Sequence, residues 1–155
     1  MGQSEGTSAP KRLSAPVKLA WKLGSSAHTG LYRATGGKLG GRMGKNPILL
    51  LNTVGRKSGK KRLTPLFYVV DGGDYVIIAS QGGAPTHPAW YLNLMANPDT
   101  TVEVGDREVR VKAEEADAAE KTRLWQKMVE IYPAYDDYQK KTEREIPLLV
   151  LHPSR

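Results

Sequence analysis

At 155 residues the chain is long enough for one domain with a substantial core and too short for two, and a hydrophobic content of 39% is that of a folded globular protein. It has no cysteine, which excludes disulfides, thiolate catalysis and Cys-ligated metal centres, and its three histidines, His28, His87 and His152, are too scattered for a metal-ligand spacing. The net charge of +7 divides unevenly, with 13 Lys/Arg against the single acid Glu5 in residues 1–62 and 10 against 15 in residues 63–155, a field that suits a polyanionic ligand or an anionic surface at the N-terminal part and argues against general nucleic-acid affinity.

Residues 1–15 are basic and rich in Gly, Ser, Ala and Pro, the composition of a disordered tail, and residues 16–155 are expected to form one domain. From Pro16, which suits a first helical position, Val17, Ala20, Trp21, Gly24, His28, Leu31 and Tyr32 recur at helical spacing with Lys18, Lys22 and Arg33 between them. This predicts a helix over 16–35 that either caps the domain or lies peripherally on an anionic membrane. No apolar run approaches the roughly 18 residues needed to span a bilayer. The N-terminus also lacks the apolar core of a secretory signal. A cytoplasmic location is expected, with the inner face of the cell membrane as the place for any lipid contact. Residues 36–46 read as a basic, glycine-rich loop, and neither this stretch nor residues 55–61 has the spacing and closing hydroxyl of a phosphate-binding P-loop.

Six strands follow by pattern, over 47–51, 63–70, 74–80, 100–104, 107–113 and 147–151, with turn signals at Asp71-Gly72-Gly73 and Gly105-Asp106. Helical periodicity covers 87–96, opened by Pro88, then 117–131, and a short stretch over 135–141. Hairpins with helices set between them, and connections too short for repeated parallel crossovers, predict an α+β fold built on an antiparallel barrel.

Four stretches carry candidate chemistry. In residues 52–62 two glycines, Gly55 and Gly59, bracket Arg56, Lys57 and Ser58, and Lys60, Lys61 and Arg62 follow, so forks, point charges and a hydroxyl are offered to one anion. The same run also reads as a solvated hairpin tip. Ala79-Ser80-Gln81-Gly82-Gly83 leaves an apolar strand for a helix and can present backbone N–H groups and the Ser80 hydroxyl, or be an ordinary turn. Trp90 and Asn93 share a helix face, with Tyr91, Leu94 and Met95 turned to the core. Tyr132, Tyr135 and Tyr138, spaced by three, are expected on neighbouring faces of one helix turn, where they can wall an aromatic pocket or serve as plain core aromatics.

Together these motifs, with Pro88-Ala89-Trp90-Tyr91-Leu92-Asn93-Leu94, Ala96-Asn97-Pro98 and Ile146-Pro147, resemble the F420 (deazaflavin)-dependent nitroreductase family. This is the group of split β-barrel oxidoreductases, FMN-binding-like in fold, that includes the nitroimidazole-activating enzyme, and the resemblance runs from about Pro47 to Pro153. It implies coenzyme F420 as the cofactor, a 5-deazaflavin on a phosphodiester tail ending in glutamates. The tail is then matched to Arg56, Lys57, Ser58, Gly59, Lys60, Lys61 and Arg62, and the ring to Asn52, Ile78, Ala79, Ser80, Gln81, Ala89, Trp90 and Asn93. Tyr135 matches the family's active-site tyrosine and lines both cofactor and substrate, with Tyr132 and Tyr138 beside it.

The implied reaction is hydride transfer from reduced F420 to an electron-poor acceptor, with Tyr135 or water supplying the proton and Ser80 polarising the acceptor or fixing the ring. Two positions depart from relatives: Gln81 stands where some carry lysine, and Phe67 where the nitroimidazole-activating member has tyrosine. Quinones and enones are therefore expected acceptors ahead of nitro compounds. Alternatives from the same residues are an FMN-binding oxidoreductase or cofactor carrier of the same fold, and a basic nucleic-acid-binding barrel.

Overall fold

The computed structural model describes residues 42–43 and 46–154, so the predicted tail over 1–15 and helix over 16–35 lie outside the described residues. Within them are β1 (Arg42–Met43), β2 (Asn46–Val54), β3 (Lys61–Phe67), β4 (Val69–Asp71), β5 (Asp74–Ile78), α1 (Ala89–Ala96), β6 (Asp99–Val104), β7 (Arg107–Glu115), α2 (Ala118–Ile131), α3 (Ala134–Lys140) and β8 (Leu148–Pro153). A single 3-10 turn, Gln81–Gly83, stands between β5 and α1.

All strand pairings are antiparallel, in the order β1-β2-β6-β7-β8-β5-β4, with β3 on β2 as well. Strands β3 and β4 therefore sit at opposite edges of the sheet, yet only Tyr68 separates them in sequence. One residue spans less than 4 Å, so the sheet has to curl until its edges meet. The pattern over 63–70 predicts one continuous strand; the observed break at Tyr68 is this crossing. Phe67 still pairs with Ile48, the Tyr68 N–H donates to the Pro47 carbonyl at 3.3 Å, and Val69 already pairs with Val76. Pro65 fits because, among the described residues, β3 pairs on one side only and its missing N–H breaks no ladder.

Curling gives every strand an inside and an outside. Leu49 and Leu51, Tyr75 and Ile77, Val102, Val111, Ala113, Leu149 and Leu151 fill the barrel, closed at one end by Leu94 of α1. The alternate residues Val76, Ile78, Leu148 and Val150 face outward and are buried beneath Leu124 and Met128 of α2, Tyr135 of α3 and Ile146. Burial on both faces explains why β5 and β8 read as unbroken apolar runs without alternation. Asp117 caps α2 by accepting the Glu120 N–H at 2.9 Å.

The β4–β5 hairpin turns at Gly72 and Gly73, both with positive φ (56° and 90°), and is tied to α2 through Asp71. The Asp71 carboxylate takes both guanidinium nitrogens of Arg123 at 2.9 Å and the Lys127 ammonium at 2.8 Å. These hydrogen bonds hold its pKa far below the ordinary 3.8. A depressed carboxylate stabilises the fold fully above its unfolded value and loses that contribution as pH falls toward the folded value. Asp71→Asn is expected to lower the melting temperature by a few degrees at neutral pH. The gap to the parent should narrow as the pH is taken below 3.8, which a pH series of thermal melts reads directly.

Candidate functional site

Strand β2 carries the chain to Val54 and delivers Gly55 into a closed hairpin loop. The Gly55 N–H donates to the Lys60 carbonyl at 2.8 Å, the Gly59 N–H to the Gly55 carbonyl at 2.8 Å, and the Lys60 N–H to Ser58 Oγ at 3.2 Å. Gly59 supplies the positive φ, 69°, that lets the loop close. Beyond it β3 begins at Lys61, so the strands are longer, and the loop shorter, than the sequence predicts. Because strand side chains alternate, Lys61 and Arg62 point to opposite faces, Arg62 on the face of Thr53 and Lys61 on that of Val54. Lys61 and Arg62 therefore do not converge on one point. Arg56, Lys57, Lys60, Lys61 and Arg62 are all exposed, and among the described residues none is ion-paired to a carboxylate.

What fixes the loop is Asn93. Its Oδ1 accepts both the Arg56 backbone N–H at 3.1 Å and the Arg56 Nη1 at 3.0 Å, although Asn93 itself is 7% exposed on α1. The amide expected to line a ligand thus spends its oxygen on anchoring the cationic hairpin to the helix. Ala89 is exposed at the start of the same helix, while Trp90 is half-buried against the barrel core. Tyr91 sends its hydroxyl to Glu115 Oε1 at 2.8 Å, and burial with this bond pushes its pKa up to about 12.

At Asn52 the β2–β6 ladder, which pairs Leu50 with Glu103 and Leu51 with Val102, gives way to side-chain bonds. Asn52 Nδ2 donates to Thr101 Oγ1 at 2.9 Å and to the Thr101 carbonyl at 3.3 Å, and Thr100 Oγ1 donates to the Asn52 carbonyl at 2.6 Å. Only Oδ1 of Asn52 remains to meet a ligand. Next to it, the Thr53 hydroxyl is buried with no hydrogen-bond partner among the described residues.

The strand end after β5 is the second part of the site. Ile78 and Ala79 are buried, in the outer and inner cores respectively, so they offer a ligand only backbone. Ser80 is half-buried and its side chain does not cap the turn. Gln81, Gly82 and Gly83 all have positive φ, 45°, 62° and 79°, a left-handed run that glycine accepts freely and Gln81 only under strain. Gly83 also lies so close to α3 that a Cβ there would stand 2.7 Å from the Tyr138 carbonyl oxygen.

Sequence reasoning missed the residue that holds this turn, Arg144. Its Nε donates to the Ala84 carbonyl at 2.8 Å, Nη2 to the Ser80 carbonyl at 2.8 Å, and Nη1 and Nη2 to the Ala79 carbonyl at 3.3 Å, while Nη1 also meets His87 Nδ1 at 3.1 Å. No local pattern marks an arginine whose partners lie some sixty positions earlier in the chain.

The tyrosines form the third part. Tyr132 follows the last residue of α2, and Tyr135 and Tyr138 lie on α3, so the equal spacing spans a helix junction and not one helix turn. Their rings meet at centroid distances of 5.1 to 6.3 Å, and Phe67 adds a fourth ring 5.1 Å from Tyr132. The Tyr132 and Tyr138 hydroxyls share a hydrogen bond of 2.9 Å, which with burial pushes Tyr138 up to about 12. Tyr135 is 5% exposed, and burial drives its phenol well above its usual range. The three parts are contiguous: Arg56 touches Asn93 of α1, Arg144 joins His87 at the head of that helix to Ser80, and Gly83 meets Tyr138.

Fold and site together define a split antiparallel barrel in which a cationic hairpin and an aromatic cluster are linked through α1 and the strand-end turn. A family model described as F420H(2)-dependent quinone reductase matches residues 25–153, and the chain belongs to that family. The match begins well before Pro47. The chain is 43% identical over 128 residues, 80% of its length and 86% of the relative's, to an F420H(2)-dependent quinone reductase of Mycobacterium tuberculosis. Among solved structures it is similar to an F420-H2 dependent reductase, FDR-A, with 45% identity and a TM-score of 0.63 over 68% of this chain and 94% of that one. A domain-swapped dimer matches with 37% identity and a TM-score of 0.66 over 89% of this chain and all of that one. The heme storage protein HutZ of Vibrio cholerae, at 16% identity and a TM-score of 0.56, shares the fold alone. The protein is an F420H2-dependent oxidoreductase of the split-barrel class, and the expected fold and cofactor are borne out.

The turn makes a quantitative expectation possible. Gly83→Ala must both strain a φ of 79° and push against α3 backbone, while Gly82→Ala meets open space at a φ of 62°. Chemical denaturation should show a loss of about 2 kcal/mol or more for the first and about 1 kcal/mol for the second.

Proposed function

We propose that this chain reduces quinones with F420H2, holding the cofactor tail on the Gly55–Lys60 hairpin and the ring against the strand end at 78–81. The observation that carries the reading is the Arg56–Asn93 anchor, which fixes the cationic hairpin to the helix that leads from the strand-end turn. The residues fit the group on two counts. Arg56, Lys57, Lys60, Lys61 and Arg62, exposed and without a carboxylate partner among the described residues, suit a tail bearing a phosphodiester and several carboxylates, more charge than the single phosphate of FMN requires. The strand end offers backbone and the Ser80 hydroxyl, as a planar heterocycle with polar edges demands.

Bound reduced F420 supplies the hydride. Arg56 and Lys57 pair with tail anions, and Ser58 and Gly59 shape the loop around them. Ile78, Ala79, Ser80 and Gln81 would hold the ring through backbone groups and the Ser80 hydroxyl, together with Asn52 Oδ1, Ala89 and Trp90. Phe67, Tyr132, Tyr135 and Tyr138 wall the acceptor. Burial raises the Tyr135 pKa and makes it a weaker acid than a free phenol, so the reading assigns it as wall and takes the proton from the solvent and its buffer acids. Quinones lead as acceptors, and enones and nitroaromatics share the electron-poor π-system that this wall would stack. A quinone acceptor also gives the basic segment 16–35 a reason to meet an anionic membrane. No helix of the described residues is long and apolar enough to cross one.

Fluorescence titration tests the cofactor and the loop together. The parent should bind F420 in preference to FMN, and an Arg56→Ala/Lys57→Ala variant should lose about tenfold or more in affinity, with the difference shrinking at high salt. Absence of F420 binding by the parent, or a preference for FMN, overturns the reading. For the wall, Tyr135→Phe should retain turnover with a quinone to within about threefold and leave its pH profile unmoved. A lost limb in that profile would make Tyr135 the acid.

A further inference from the structure

We propose that Arg144 is a positioning residue for the cofactor: its guanidinium sets the backbone of residues 79–87 in the one arrangement that receives the deazaflavin ring. The inference rests on the reading that the 78–81 strand end faces that ring. It concerns a residue that touches neither hairpin nor aromatic wall and that neither the cation run nor the tyrosine pattern includes.

The contacts divide into what Arg144 holds and what holds Arg144. A guanidinium has five N–H donors in a rigid planar fork, and here they reach three carbonyls, Ala79, Ser80 and Ala84, and the ring nitrogen of His87. These four residues begin and end the irregular segment between β5 and α1. His87 must present an unprotonated Nδ1 to accept, and its ring lies against Tyr91 at 4.7 Å, so the same fork also registers the start of α1. Behind it, the Gln139 side chain donates to the Arg144 carbonyl at 2.8 Å and accepts the Ile146 N–H at 2.9 Å, clamping the backbone that carries the guanidinium to α3. Burial lowers the Arg144 pKa only from a very high starting value, so its charge is kept.

The consequence lies on the opposite side of the chain. In a trans peptide the carbonyl and the following N–H point in opposite directions. When Arg144 draws the carbonyls of Ala79 and Ser80 toward itself, it turns the N–H groups of Ser80 and Gln81 away from itself. Neither N–H has a backbone acceptor among the described residues, nor has that of Gly82 after them, whereas the Ala79 N–H before and the Gly83 and Ala84 N–H groups beyond are bonded. The positive φ of Gln81, 45°, is the strain this arrangement holds in place. A lysine could place charge near these carbonyls but not reach several of them at once.

Amide hydrogen exchange and F420 fluorescence titration on the intact chain test this together. In the parent, F420 should slow exchange at Ser80 and Gln81 as well as over the hairpin. Arg144→Lys should weaken F420 about tenfold or more and abolish the slowing at Ser80 and Gln81 while keeping it at the hairpin. Gln139→Ala, which loosens the clamp and spares the guanidinium, should shift affinity the same way by a smaller factor. Asp71→Asn serves as the control for stability alone and should bind F420 like the parent. Parental affinity and protection in Arg144→Lys overturn the proposal, as does equal weakening in Asp71→Asn, which would make the effect one of global stability. Protection of the hairpin without Ser80 and Gln81 in the parent overturns it too, with tail binding left intact. No binding by the parent refutes the cofactor reading beneath it.

Discussion

The constraint on which the architecture depends is the one-residue link at Tyr68. Two strands at opposite edges of a sheet cannot be joined by a single residue unless the sheet is rolled, and rolling converts a set of hairpins into a barrel. Once rolled, β5 and β8 are buried on both faces, and α2 and α3 can cover the outside while α1 closes one end. The strand end after β5 is then brought close to α3, to the point where only glycine fits at position 83. The aromatic cluster stands beside the turn for the same reason, since Phe67 is the last residue before the crossing and its ring meets Tyr132.

Electrostatics then divides the surface into two kinds of cation. Arg123 and Lys127 are consumed by Asp71, and Arg144 by backbone carbonyls and His87; these hold the fold. The hairpin cations have no carboxylate among the described residues, and the one polar partner Arg56 has, Asn93, is neutral and leaves its charge uncompensated. Like charges crowded on one short loop repel one another, so the loop gains most from an anion that neutralises several at once. Anchoring through a buried amide gives the loop a fixed position without cancelling the charge a ligand would use.

Much of this was legible in the chain itself, for physical reasons that differ by element. The hairpins at Gly72-Gly73 and Gly105-Asp106 were legible because turn geometry is a local demand on residue type. Helix α2 was legible from its periodicity, and the cationic hairpin from its glycines and charge. The break at Tyr68 was hidden because an apolar run looks the same whether it continues one strand or crosses between two. The split at Asn52, where side chains replace the ladder, needs knowledge of which strand lies alongside. Equal spacing of the tyrosines suggested one helix turn, yet Tyr132 lies before the junction and Tyr138 beyond it, and only the tertiary fold brings their hydroxyls within 2.9 Å. Arg144 was hidden for the same reason, its partners being distant in sequence.

The aromatic cluster argues for a division of labour between protein and solvent. Three phenols placed, in the proposed reading, beside a hydride acceptor invite the idea of an internal acid, but their environment works against it. Removing a phenol from water disfavours the phenolate, and two of these hydroxyls already satisfy each other. A group held far above neutral pH gives up a proton only when the developing base is strong. In the proposed reading the cluster serves instead as a wall against which a planar acceptor would stack. Geometry is then the protein's main contribution to the reaction. For a hydride, whose transfer depends steeply on approach distance and angle, that contribution is the larger one.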